Sequence, residues 1–157
     1  MTISSSHQGG KLAEKRESME GFSLLELLIV VAIILIVATI AVPSLLRSRQ
    51  LANENSAVAN LRTISNAEAA YLPTSGGFFT VLGGLVAERL LDDRFSGVVV
   101  GGYTYSIATD GFEYTATATP AASNTGRYEF YMQSDGVIHY STNVTLAPVG
   151  KNGFPVN

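Results

Sequence analysis

The chain contains no cysteine. Disulfides and thiolate metal sites are therefore excluded, and any exported part must hold together without covalent staples. It also lacks a basic excess: ten Lys and Arg face thirteen Asp and Glu, a net charge of −3, and beyond position 21 the count is seven against ten. A nucleic-acid-binding surface normally shows a basic stripe, so no nucleic-acid partner is expected. No Gly-x-Ser-x-Gly elbow is present to set up a nucleophilic serine. The two histidines, His7 and His139, stand far apart with no cysteine beside them, so a histidine metal centre is not expected either. There is no internal repeat beyond two hairpin patterns.

One further absence is local. From Leu27 to Leu46 twenty consecutive residues carry no charge, and most are Leu, Ile, Val or Ala. At about 1.5 Å per residue a helix of that length covers roughly 30 Å, the hydrocarbon thickness of a bilayer. A buried core helix is the alternative. In a domain of this size a core helix rarely stays apolar on every side for five turns, so membrane insertion is the expectation.

Around this run the chain falls into four zones. Residues 1–21 are polar, with Ser4-Ser5-Ser6, Gly9-Gly10 and mixed charges, and read as a disordered leader. From Phe22 to about Tyr71 the pattern predicts one long helix. Its first half is the apolar run, and its second half repeats Leu51, Val58, Leu61, Ile64, Ala67 and Tyr71 at helical spacing. Arg47, Arg49, Glu54, Arg62 and Glu68 share that second half as its charged residues. Pro73 and Gly76-Gly77 stop the helix.

A glycine-rich connection, residues 72–102, follows, in which Val86–Leu91 has the makings of a helical turn or two. The last zone alternates with period two. Tyr103, Tyr105 and Ile107 share one face, and Phe112, Tyr114, Ala116 and Ala118 share the next, across an Asp110-Gly111 pair that suits a two-residue hairpin. Arg127–Met132 and Val137–Thr142 form a second pair around Gln133-Ser134-Asp135-Gly136. Residues 143–157 are expected to trail over the surface. The fold class is therefore α+β, a long N-terminal helix packed against a small four-stranded antiparallel sheet.

The chemistry concentrates where the leader meets the apolar run. Gly21 stands before the run, whereas the small-residue cleavage site of a secretory signal peptide would follow it. A cut after Gly21 would remove only the leader and keep the helix as an anchor. Glu26 is the anomaly, because a carboxylate at membrane depth costs about 2.5–3.5 kcal/mol and usually finds a partner. Cleavage would create one, the α-amino group of Phe22. Within one chain the two groups lie about 6 Å apart along the axis. Between chains offset in a bundle, the amine of one would meet Glu26 of another.

The stretch Gly21-Phe22-Ser23-Leu24-Leu25-Glu26, with the apolar run behind it and Pro43 at the twenty-second position after the cut, resembles the prepilin signal of type IV pilins and of the pseudopilins of type II secretion systems. The resemblance covers Gly21 to about Leu46. It implies a membrane prepilin peptidase that cuts after Gly21 and methylates Phe22, and a Glu26 that pairs with a neighbour's amine. It also implies a platform protein with its ATPase as partners, and filaments built from many copies. The leader departs from the usual basic pattern, since Glu14, Glu17 and Glu20 balance Lys11, Lys15 and Arg16. Orientation follows mainly the Lys and Arg count, so a cytoplasmic leader still fits. Without cysteine the carboxy-terminal disulfide of many pilins cannot form, which points to the cysteine-free pilins or to pseudopilins.

The expected organisation is a leader over 1–21, a membrane and assembly helix over 22–46, and a globular part over 47–157. The expected role is structural and non-enzymatic, with no cofactor, in the cytoplasmic membrane before assembly and at the cell surface or in the periplasm after it. A secretion pseudopilin is the alternative, followed by an anchored module that never polymerises. Pro43 is expected to kink or open the helix. Asp92 and Asp93, with Glu88, offer oxygen ligands for calcium, against which a solvated acidic turn is the better reading. Asn143-Val144-Thr145 fits the glycosylation pattern, a common chance match. The tyrosines of the β-rich zone read as sheet and core aromatics.

Overall fold

The structure is a computed structural model that describes residues 22–97, 99–141 and 153–156. The leader with Gly21 and His7, Val98, and Asn143 with its tripeptide lie outside the described residues. The chain divides into two compact units between Thr39 and Ile40.

A single helix, α1, runs from Leu24 to Tyr71. It ends where expected: after Tyr71 the chain turns, with Ser75 N–H donating to Tyr71 O at 3.1 Å and Gly76 at φ +75°. Pro73, without an N–H, cannot continue the ladder.

In the second unit α1 buries a stripe of Ala57, Leu61, Ile64 and Ala67. Leu51, expected on that stripe, is exposed, and Val58 and Tyr71 are partly buried against the core. Two carboxylates, Glu54 and Glu68, occupy the buried face instead. Helical spacing assigns a side chain to a face. It does not say which polar groups will find donors there.

The stripe packs in one core cluster with an antiparallel sheet of order β1-β2-β3-β4-β5: Tyr103–Thr109, Tyr114–Pro120, Glu129–Gln133, Ile138–Ser141 and Phe154–Pro155. Tyr103, Tyr105 and Ile107 of β1, and Tyr114, Ala116 and Ala118 of β2, face the core as the alternation requires. Both expected hairpins form. The first turn differs: β1 and β2 are joined by four residues, and only Gly111 takes a positive φ. Asp110 supplies the reason, since its Oδ1 accepts from the N–H of Phe112 at 2.9 Å and of Glu113 at 2.8 Å. Those bonds stabilise a wider loop and leave Phe112 exposed outside the strand.

Two further corrections concern the connection and the tail. The short helix, α2, spans Leu82–Ala87 rather than Val86–Leu91. Gly83 and Gly84 disfavour it locally, but Leu85 becomes fully buried, and tertiary burial outweighs propensity. The sheet has five strands, not four, because Phe154–Pro155 pairs with β4 and Val156 N–H donates to Ile138 O at 2.8 Å. A proline is tolerated there because β5 is an edge strand.

Candidate functional site

The start of α1 is set by a serine. Ser23 Oγ accepts from Leu25 N–H at 3.3 Å and Ser23 O from Leu27 N–H at 3.1 Å, which makes Ser23 the N-cap. Ser23-x-x-Glu26 ahead of an apolar run is a capping-box spacing, a signal of the helix start that the periodicity alone passes over. Glu26 lies in the first turn, where the helix dipole favours a carboxylate by about 0.3–1 kcal/mol. Phe22 precedes the helix and is 77% exposed.

From Leu24 to Leu46 the large apolar residues stand exposed, Leu24 at 87% and Ile40 at 74%. The most apolar 18-residue window of the helix has a mean hydropathy of 3.1 and none of it is buried. A core helix would be covered by its own chain, so this exposure favours the membrane reading. Among the described residues this is the one helix long and apolar enough to cross a membrane, which fits membrane anchoring. The helix runs unbroken through Pro43, although the ring removes the N–H that would bond Thr39 O.

Beyond the apolar half, polar side chains of α1 reach the loops of the second unit. Asn53 Nδ2 donates to Thr125 O at 2.8 Å. Glu54 Oε1 accepts from Arg127 N–H at 2.9 Å and meets Arg127 Nε at 3.5 Å, the one ion pair among the described residues. Asn60 Nδ2 donates to Tyr105 Oη at 2.9 Å, and Tyr114 Oη bonds Ser65 Oγ at 3.2 Å. Glu68 is fully buried; Oε2 accepts from Thr80 N–H at 3.2 Å while Oε1 has no hydrogen-bond partner among the described residues. Burial pushes the Glu68 carboxyl up from its ordinary value, partly opposed by the Thr80 hydrogen bond. Burial likewise raises Tyr105 and Tyr114, each partly offset by its hydrogen bond to Asn60 or Ser65. Of these latches, Glu54 and Glu68 escape a reading that treats carboxylates as solvent-facing.

Asp92 has a local role. Its Oδ1 accepts from Arg94 N–H at 2.8 Å and caps the 3-10 turn Asp93–Phe95. Among the described residues no three His, Asp or Glu side chains form a metal-holding group. Tyr103, Tyr105, Tyr114 and Tyr131 are buried, while Tyr128 and Tyr140 pack partly buried against the core. His139 stacks on Tyr131 with ring centroids 5.0 Å apart.

A long N-terminal helix over an antiparallel sheet is the pilin-like α+β architecture. Residues 18–42 match the family described as the prokaryotic N-terminal methylation motif, and the chain thus carries the signal motif of type IV pilins and pseudopilins. The match spans the leader end, Phe22, Glu26 and most of the apolar run. Neither a curated protein nor a solved structure matches the chain. The motif supports a precursor of the pilin-like or pseudopilin kind, a structural rather than catalytic group.

Proposed function

We propose that the chain is the precursor of a structural subunit of a type IV pilus-like filament. Prepilin peptidase would cut between Gly21 and Phe22 and methylate the new amine, which leaves 136 of the 157 residues. Residues 22–46 would hold the mature chain in the cytoplasmic membrane, with residues 47–157 as its globular part. Assembly, driven by a platform protein and its ATPase, would then exchange lipid contacts for packing against other copies, and Pro43 would supply a bending point. One observation carries the reading: a carboxylate, Glu26, stands one turn behind the cleavable Gly21–Phe22 bond, at the head of an apolar helix half that the chain leaves exposed.

Mass spectrometry of the mature amino terminus tests it directly. Methylated Phe22 is expected; an intact leader, or a cut beyond Leu46, refutes the proposal. Glu26→Ala separates the filament from a solitary anchor. The filament reading expects a stably inserted chain that assembles poorly, whereas an anchored module would tolerate or welcome the change. Because the chain has no cysteine, a secretion pseudopilin fits as a second reading. Loss of secreted enzymes rather than of surface fibres in a deletion strain would favour it.

A further inference from the structure

Between Glu26 and Glu54 the chain carries only two charges, Arg47 and Arg49, both positive. They follow directly on Leu46, the last residue of the apolar run, and both are exposed. Among the described residues neither has an ion pair, a hydrogen bond or a ring contact. Other arginines are engaged: Arg127 with Glu54 and the Tyr128 ring, and Arg94 over the Phe95 ring. Glu54, the nearest carboxylate along the helix, is already occupied by Arg127. The first hydrogen bond from α1 to the loops of the second unit is made by Asn53, about 6 Å beyond Arg49. Two unpaired cations thus stand between the apolar half of the helix and the globular part.

Their placement selects a partner. Arg47 and Arg49 are two residues apart, so they leave the helix roughly 160° from each other, on nearly opposite sides. A single peptide or a compact anion meets one side only. A lipid layer surrounds the helix that crosses it and presents phosphates on every side. The twenty uncharged residues before Arg47 cover about 30 Å as a helix, one hydrocarbon thickness, so Arg47 emerges where the headgroups begin. The guanidinium is a planar fork whose N–H groups pair with two oxygens of one phosphate. Its stem lies along apolar surface while the charged head stays at the interface.

We infer that Arg47 and Arg49 form a two-sided collar that binds the phosphates of anionic phospholipids in the leaflet facing the globular part. The collar's ligand is the lipid headgroup. The inference rests on the membrane-anchored reading and deepens it, because it assigns two side chains and a lipid class to an anchor otherwise made by apolar contact alone. Arg62 supplies an internal control. It too is exposed and has no ion pair among the described residues, but it lies about 20 Å beyond Arg49 along the helix, out of reach of the headgroups.

The test titrates phosphatidylglycerol into the full chain, purified from host membranes in an uncharged detergent, and counts bound lipid by native mass spectrometry. Arg47→Gln combined with Arg49→Gln should weaken binding at least about ten-fold, since each basic residue at an anionic lipid surface contributes about five-fold. Arg62→Gln should bind as wild type does. Both collar positions are exposed, so the paired variant should keep the wild-type thermal midpoint. A digalactosyl lipid with the same acyl chains, which has no phosphate, should bind wild type at least about ten-fold more weakly. Inorganic phosphate at the lipid's concentration should displace nothing. Wild-type affinity in the paired variant, an equal loss in Arg62→Gln, equal binding of the galactolipid, or displacement by inorganic phosphate would each overturn the inference. A wild-type chain that still resists alkaline carbonate extraction from host membranes would then leave the anchor standing. A wild-type chain that carbonate releases would defeat both.

Discussion

Gly126→Ala should destabilise the second unit through one identifiable collision. Gly126 is buried in the connection between β2 and β3, and its φ lies outside the left-handed region, so alanine meets no backbone strain there. The added Cβ would come 2.0 Å from Tyr103 Oη and 2.6 Å from Cζ. Neither side can withdraw. Tyr103 is fully buried and its hydroxyl donates to Tyr128 O at 2.8 Å. The connection is tied to α1 on both flanks, by Asn53 to Thr125 O and by Glu54 to Arg127 N–H. Overpacking typically costs about 1–3 kcal/mol, and the displaced hydroxyl forfeits a hydrogen bond of about 0.5–1.5 kcal/mol. Their sum is about 1.5–4.5 kcal/mol, or roughly 6–18 °C in the midpoint for a unit of this size.

All seven tyrosines lie beyond residue 70, so near-UV circular dichroism of the full chain in detergent follows the sheet unit alone. Tyr103→Phe removes the nearest atom and by itself should cost about 1 kcal/mol. In the double variant the losses should fall short of additivity by at least about 0.5 kcal/mol, because the two positions are in contact. Rescue stays partial, since Cζ still crowds the new methyl group. A Gly126→Ala midpoint within about 2 °C of wild type, or strict additivity, would refute the reasoning.

Two more outcomes follow from buried groups of α1. Leu61 is fully buried in the helix–sheet core, so Leu61→Ala should cost about 2–5 kcal/mol; chemical denaturation would measure it, and a change below about 1 kcal/mol would place the core elsewhere. Glu68, held above its ordinary pKa by burial, binds its proton more tightly folded than unfolded. Its contribution is therefore fully present below the unfolded carboxylate value and is lost as pH rises through the folded one. Glu68→Gln keeps an acceptor for Thr80 N–H and should flatten that decline, so stability against pH should differ between variant and wild type only on the alkaline side of the unfolded value. Parallel curves would show that Glu68 does not titrate as its burial implies.

What the sequence by itself determined is the part governed by local pattern. Twenty uncharged residues make an apolar helix wherever they are placed, and the order of Gly21, Phe22 and Glu26 ahead of them marks the signal without any tertiary contact. Period-two alternation likewise put Tyr103, Tyr105, Ile107, Tyr114, Ala116 and Ala118 on the core face, because side chains must alternate along a pleated strand. Only tertiary structure decided the rest. Glu54 and Glu68 lie inside because the N–H groups of Arg127 and Thr80, 73 and 12 residues away, are brought to them. Leu82–Ala87 is helical despite two glycines because Leu85 has a core to enter, and Phe154–Pro155 is a strand because β4 leaves it an open edge. Each depends on a partner distant in the chain, and a hydrogen bond or a buried contact needs both members present.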